Sequence, residues 1–499
     1  MKYQSTRGYD EEISSAEAIV EGIAKDGGLF IPEDMPRVTK DFIRALPSLP
    51  YAERAQRILS LFLDDYTGRE LEECIKAAYG GNKFDDEKIA PTVRLSDDVA
   101  VLELWHGPTS AFKDMALQLL PHLLTTAQTK INETKDALIL VATSGDTGKA
   151  ALTGFADVPK TKIVVFYPED GVSQMQKRQM VTQTGGNVAV VAVKGNFDDA
   201  QTGVKKIFAD ADFAVELLGH HARLSSANSI NWGRLAPQIV YYFSAYADLL
   251  QSRSIALGDK INFCVPTGNF GNILAGYYAL CMGLPVHRLI CASNANDVLT
   301  EFLQTGVYNR NRKFYKTISP SMDILISSNL ERLLAHLTGN TVKVRGWMGE
   351  LNHMGQYTVG SEILGKLKGI FYGGCADDER TRATIKQIYD EYEYVIDPHT
   401  AVAFAVAEDY RTATKDTHPT VIVSTASPYK FPADVLAALA VDTSERDECA
   451  LLDKLHEECE RPIPPNLAAL RDLPILHTVS CEREKMAQEV AAFAARGNS

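Results

Sequence analysis

Paired cysteines, long apolar runs and an excess of basic charge are all missing from this chain. Its eight cysteines, at 74, 264, 281, 291, 375, 449, 459 and 481, include no Cys-x-x-Cys pair. That excludes a zinc-ribbon site and, at this size, a disulfide framework. No apolar run reaches the roughly 18 residues of a membrane span, so no membrane partner is expected. Lys and Arg number 51 against 64 Asp and Glu, a net charge of −13. The basic surface that a nucleic-acid backbone requires is therefore lacking, and no nucleic-acid partner is expected. The polar opening Met1-Lys2-Tyr3-Gln4-Ser5-Thr6-Arg7 has no apolar signal core, which gives a cytoplasmic expectation. Neither a P-loop nor a Gly-x-Gly-x-x-Gly fingerprint occurs. What is present, 499 residues with 45% apolar and 23% charged side chains, is an ordinary globular mixture long enough for roughly three units or one large two-lobed protein.

The first ninety residues read as helical. Ser14 with Glu17 and Thr67 with Glu70 have the capping-box spacing. Gly27-Gly28-Leu29-Phe30-Ile31-Pro32 must be a loop or short extended piece between them. From about residue 91, compact apolar runs alternate with helical stretches: Val99–Leu104, Ala137–Ala142, Ile163–Tyr167, Val188–Val193, Ile261–Val265 and Val421–Ser424. Near-continuous apolar strands between helices predict parallel sheets covered on both faces, an α/β fold. The expected division is an N-terminal helical subdomain over 1–90, a small mobile α/β lobe over 132–220, and a large lobe made of 91–131 and 221–499.

Three segments carry chemistry. In Trp105-His106-Gly107-Pro108-Thr109-Ser110-Ala111-Phe112-Lys113-Asp114, a strand ends, Gly-Pro turns, and a helix begins with Lys113 in its first turn. The positive end of a helix, and any burial, favour the neutral amine that Schiff-base chemistry needs. A surface lysine at a helix start has the same pattern. In Val265-Pro266-Thr267-Gly268-Asn269-Phe270-Gly271-Asn272, a strand leads through a glycine-bracketed loop into a helix, a place for a phosphate or a plain turn. In Val141-Ala142-Thr143-Ser144-Gly145-Asp146-Thr147-Gly148-Lys149-Ala150, hydroxyls and amides converge at a helix start, which suits a carboxylate or merely caps the helix.

In this order the three segments resemble the tryptophan-synthase β family of pyridoxal-phosphate enzymes, fold type II. Within it they are most similar to the threonine synthases of bacterial and fungal type. Ser5-Thr6-Arg7-Gly8, Asp26 to Pro32, Ser226-Ala227-Asn228-Ser229-Ile230-Asn231, Asp397-Pro398-His399-Thr400-Ala401 and Ser424-Thr425-Ala426 extend the likeness over roughly residues 1–435. The stretch after Val441 matches no motif. The resemblance implies a two-lobed enzyme with pyridoxal 5'-phosphate between the lobes, as a monomer or homodimer.

It also implies roles. Lys113 would hold the cofactor as a Schiff base and move the α-proton. Gly268, Asn269, Phe270, Gly271 and Asn272 would take the cofactor phosphate, and the Thr425 hydroxyl would meet the pyridine nitrogen. Thr143, Ser144, Gly145, Asp146 and Thr147 would hold the substrate carboxylate. Ser229, Asn231 and Arg234 would hold a substrate phosphate, with Lys177 and Arg178 as alternatives. The sequence departs from family habit at Gly233, commonly Ser, and at Asp146, often Asn in relatives that dehydrate amino acids.

The implied reaction is conversion of O-phospho-L-homoserine and water to L-threonine and phosphate, a lyase reaction in threonine biosynthesis. Alternatives are a phospho-lyase that releases a keto acid, a serine/threonine dehydratase, and an anion-binding sensor without catalysis. A motif pattern starting at residue 5 gives the further expectation of no N-terminal effector domain and no S-adenosylmethionine activation. His106 and His399 are expected as turn or supporting residues, since no metal-ligand spacing joins them. Tyr241, Tyr242, Phe243 and Tyr246 are expected in the core.

Overall fold

The computed structural model describes residues 1–496 apart from 10, 144, 170, 171 and 446. Ser144, expected among the carboxylate donors, lies outside the described residues. All six expected apolar runs form strands, and they divide between two sheets. The larger has the order Phe371–Cys375, Val286–Ser293, Ile261–Pro266, Thr420–Ser424, Val99–Glu103, Thr92–Arg94, parallel except for the last. The smaller runs Val479–Glu482, Val188–Lys194, Thr161–Pro168, Asp136–Ala142, Ala222–Ser225, parallel throughout. Ile261–Pro266 and Thr161–Pro168 are buried at every position, as strands covered on both faces by helices must be. The expected α/β fold with parallel sheets flanked by helices is what forms. No helix among the described residues is long and apolar enough to cross a membrane.

Strand pairing differs from the expected division in two places. Ala222–Ser225 and Val479–Glu482 were placed with the larger unit, yet both pair into the smaller sheet. The second was illegible because it is an edge strand with only Cys481 buried, so it has no apolar run. Met486, Val490, Phe493 and Ala494 of the helix Met486–Ala494 cover the smaller sheet beside Val204 and Ile207.

The N-terminal region holds the helices Ser15–Glu21, Lys40–Ala45, Tyr51–Leu59 and Gly68–Tyr79, and both expected capping boxes close. Phe30–Pro32 is extended and pairs antiparallel with Tyr3–Ser5. Lys113, expected in the first turn of a helix, is instead the N-cap residue of Asp114–Leu117, and the chain breaks before continuing as Leu120–Lys130. Pro121 sits in the first turn of the second helix and has no N–H to continue the first. The helix Asp146–Phe155 packs hard on this break. A Cβ at Gly154 would stand 2.0 Å from the Leu117 carbonyl oxygen, so only glycine permits the approach.

Truncating Phe493, 6% exposed, to Ala should cost about 3 kcal/mol. Hydrogen exchange should quicken in the smaller sheet and stay unchanged in Ile261–Pro266; uniform quickening would show that the two sheets unfold as one.

Candidate active site

Four loops that follow the carboxyl ends of parallel strands meet here, the usual place for a ligand in such sheets. Lys113 follows Val99–Glu103, Thr425 follows Thr420–Ser424, Gly268 to Asn272 follow Ile261–Pro266, and Thr143 to Thr147 follow Asp136–Ala142. The first two loops are stitched together: the Phe112 N–H donates to the Thr425 carbonyl at 2.8 Å and Ser427 N–H to Ser110 at 3.1 Å. Thr425 is 6% exposed.

Lys113 is buried, with Nζ 3.4 Å from Asp146 Oδ2 and 3.2 Å from the Ser321 hydroxyl. Burial lowers its proton affinity; Asp146 raises it, and the charges of Lys430 and Arg234 lower it again, leaving it below the usual lysine range. Asp146 is equally buried. Burial opposes its ionisation, but Lys430, at 2.6 Å from Oδ1, and Lys113 hold it well below the usual carboxylate range. Gln176 donates to the same carboxylate at 3.3 Å.

The loop Gly268 to Asn272 is shaped by Phe270. That residue takes a left-handed conformation, φ +62°, disfavoured in a non-glycine by roughly 1 kcal/mol. Its ring is buried against Phe371, which fixes the turn. The helix Gly271–Met282 then starts with free amides: the N–H groups from Gly268 to Ile273 reach no protein acceptor among the described residues. Asn272 Oδ1 accepts from Tyr241 and Tyr242 at 2.7 and 2.8 Å, while its Nδ2 is a buried donor with no partner. Ser229 lies against this loop, accepting from Asn329 Nδ2 at 2.9 Å. Unclaimed donors at a helix start fit a phosphate. A buried lysine of lowered proton affinity fits an aldehyde, and the Thr425 hydroxyl, unbonded among the described residues, fits a pyridine nitrogen. The residues therefore suit pyridoxal phosphate.

The expected substrate residues divide. Thr143 is spent on its own turn, accepting from Gly145 and Gly148 N–H at 3.0 Å each. Thr147 is half-buried and makes no side-chain hydrogen bond among the described residues. Arg234 is 6% exposed and donates only to the Ala227 carbonyl, with no carboxylate partner among the described residues. Asn231 is not brought to the site: its amide caps Gly233 at 2.8 Å and donates to Ile19 at 2.9 Å. Arg178 donates to the Leu470, Arg471 and Leu473 carbonyls, and Lys177 is exposed.

Three participants went unread in the sequence. Lys430 lacked a motif of its own, and Ser321 lies in a stretch without periodicity. His399 was noticed only as a neighbour: its Nδ1 meets Asp397 at 2.7 Å and its Nε2 accepts the Ser321 N–H at 3.2 Å, which holds Ser321 against Lys113. Elsewhere, His287, Asp416 and His418 come close enough to share an ion. Their rings stack at 3.9 Å and 14°, so the in-plane lone pairs lie in near-parallel planes rather than converging, and Asp416 is already held by Tyr410 and Asn262.

Family models match along the chain: a threonine synthase N terminus over residues 2–79, a pyridoxal-phosphate-dependent enzyme over 90–426, and a threonine synthase C-terminal region over 400–488. The human threonine synthase-like 1 is 41% identical over 96% of this chain, which spans 64% of that protein's length. The threonine synthase of Pseudomonas aeruginosa is 40% identical over 91% of this chain and 96% of its own. The crystal structure of pyridoxal-phosphate-bound threonine synthase from Brucella melitensis superposes with a TM-score of 0.88 at 37% identity, covering 99% of this chain and all of that one.

Two outcomes follow from this geometry. A Cβ at Gly268 would stand 2.7 Å from the Ser321 carbonyl oxygen, so Gly268→Ala should push Ser321 off Lys113 and weaken cofactor binding about tenfold or more. Equilibrium dialysis showing an unchanged dissociation constant would refute this. His106, between Asp85 at 2.5 Å and Glu103 at 2.8 Å, is raised to about 9: burial works against the charge, and the two carboxylates override it. A folded value above the unfolded one of about 6.5 means stability present below pH 6.5 and lost as pH rises through 9. The loss is on the order of 2–3 kcal/mol, and His106→Gln should flatten that decline in denaturation midpoints.

Proposed function

The chain belongs to the threonine synthase family of pyridoxal-phosphate-dependent enzymes, and from that premise we propose that it converts O-phospho-L-homoserine and water to L-threonine and phosphate. The observation that favours this reading is the count of anion sites around one lysine. The amide row from Gly268 to Ile273 answers the cofactor phosphate. Arg234, buried and without a carboxylate partner among the described residues, answers a second phosphate, and the stretch 143–147 answers a carboxylate. A dehydratase of unphosphorylated amino acids has no use for the second.

Pyridoxal phosphate, when bound, supplies an aldehyde that joins amines and a ring that spreads a carbanion's charge. In this proposal Lys113, the amides from Gly268 to Asn272 and Thr425 hold it. Lys113 Nζ takes the α-proton and later returns it; burial, by lowering its proton affinity, leaves the amine free to act as base. The Thr147 hydroxyl and the start of the helix Asp146–Phe155 orient the substrate carboxylate. Arg234 holds the γ-phosphate, its planar fork of N–H donors suiting the phosphate oxygens as the group departs. A β-proton is lost, water adds its hydroxyl at the β-carbon, and the γ-carbon gains a proton. The released phosphate, with a second pKa of about 6, can carry protons between these positions. The smaller unit closes over the substrate and keeps other water out while the α-carbon carries charge.

Lys113→Ala should abolish turnover and the cofactor's covalent absorption band while leaving the fold intact. Arg234→Met should raise KM for O-phospho-L-homoserine at least about tenfold with that band unchanged. Mass analysis of the product decides the reaction: threonine is expected, and a keto acid would replace this reading with the phospho-lyase.

A further inference from the structure

Lys430 has no part in the mechanism above, yet it is the best-buried charge at the site. It ends the short helical turn Pro428–Lys430, beyond Thr425 on the same loop. Its side chain has 0% exposure, its Nζ lies 2.6 Å from Asp146 Oδ1, and it donates to the Thr109 carbonyl at 3.0 Å. Lys113 faces the other oxygen of the same carboxylate at the longer distance of 3.4 Å. One buried anion thus stands between two lysines, and the closer contact belongs to Lys430.

We propose that Lys430 is the counter-ion of Asp146 and thereby a positioning residue for Lys113. By neutralising the carboxylate it prevents Asp146 from fixing Lys113 as an ammonium. The inference rests on the reading that Lys113 is the amine that joins the cofactor. Forming that bond needs an unprotonated amine: nitrogen adds to the aldehyde carbon, and the oxygen departs as water with the two amine hydrogens. With Lys430 paired to Asp146, the charged groups facing Lys113 reduce to a neutral pair and the Arg234 guanidinium. His399, which acts on Asp146, is held by Asp397 on its other nitrogen. In those surroundings an ammonium on Lys113 has no counter-ion of its own, and the proton leaves readily. Were Lys430 absent, the Asp146 charge would fall to Lys113 alone. The Thr109 carbonyl fixes Lys430 from the far side, so the pair does not exchange partners by a small rotation.

The test reads the protonation of Lys113 directly, on the full chain stripped of cofactor. Acylation of Lys113 by a small amine-reactive ester, mapped by mass spectrometry across pH, reports the midpoint at which the free amine appears. Lys430→Met should raise that midpoint by about one unit or more, slowing acylation near neutrality about tenfold and slowing recombination with pyridoxal phosphate in parallel. Lys430→Arg, which keeps the charge, should restore both. An unchanged midpoint in Lys430→Met would overturn the proposal. If that variant does not fold, the charge-balanced pair Asp146→Asn with Lys430→Met decides. A midpoint within about half a unit of the parent supports the proposal, because a neutral pair has replaced a neutral pair. A fall of about one unit or more overturns it, because Asp146 would then have been the counter-ion of Lys113. Should Lys113→Ala keep the covalent cofactor band, it is the assignment of Lys113 that fails, and the acylation midpoint still reports on Lys430.

Discussion

Asp146 is a carboxylate that water does not reach, and the site is built round the need to keep it charged. Losing one partner of a buried ion pair typically costs 3–5 kcal/mol, so Asp146 and Lys430 hold each other in place. Two backbone fields act in the same sense. Asp146 is the first residue of the helix Asp146–Phe155, where the positive end of the dipole favours an anion. Lys113 caps the start of Asp114–Leu117, where the same end disfavours an ammonium. The carboxylate is thus stabilised as charged and the lysine as neutral, before any ligand arrives.

The same contact ties the two sheets together. Asp146 rides on a helix of the smaller sheet, while Lys113, Lys430 and Ser321 belong to the larger. Gly154 against Leu117 brings the two backbones into contact behind it. The C-terminal region adds a second tie. Asn466 Nδ2 donates to the Pro108 carbonyl at 2.8 Å and to Ser110 at 3.0 Å, bracing the loop that carries Lys113. The chain then passes along Arg178, which donates to three of its carbonyls, and ends as a strand and helix on the smaller sheet. The closure proposed above would have to bend this strap as well as the connections near 131 and 221.

Much of this was legible in the sequence, for physical reasons that also explain what was not. Strands buried on both faces, such as Ile261–Pro266, write themselves as apolar runs, and the capping boxes at Ser14 and Thr67 write themselves as spacing. Val286–Ser293 was passed over because its entry, Val286-His287-Arg288, is polar and bulged. Phe371–Cys375 was passed over because it contains two glycines. At the site, residues on backbone turns were readable, because turns demand particular residue types. Lys430, His399 and Ser321 act through long-range pairing, for which one-dimensional spacing has no signal. Asn231 shows the converse. Its place in a motif suggested a ligand contact, whereas its side chain is consumed in capping Gly233 and anchoring Ile19.

The charge of the whole chain and the charge of the site have opposite signs, and the distance over which each acts decides what each does. A net charge of −13 repels an anionic substrate at long range, but at physiological ionic strength that field decays over about 8 Å. Inside the cleft, the Lys430 and Arg234 charges lie beside Asp146 and Lys113, and burial removes the screening that would blunt them. Recognition of the anionic substrate proposed above would therefore depend on a few cations that solvent does not reach. Their arrangement has to be stable before a substrate arrives to organise it; the Asp146–Lys430 pair meets that requirement, and it leaves Arg234 buried with a carbonyl but no carboxylate partner among the described residues.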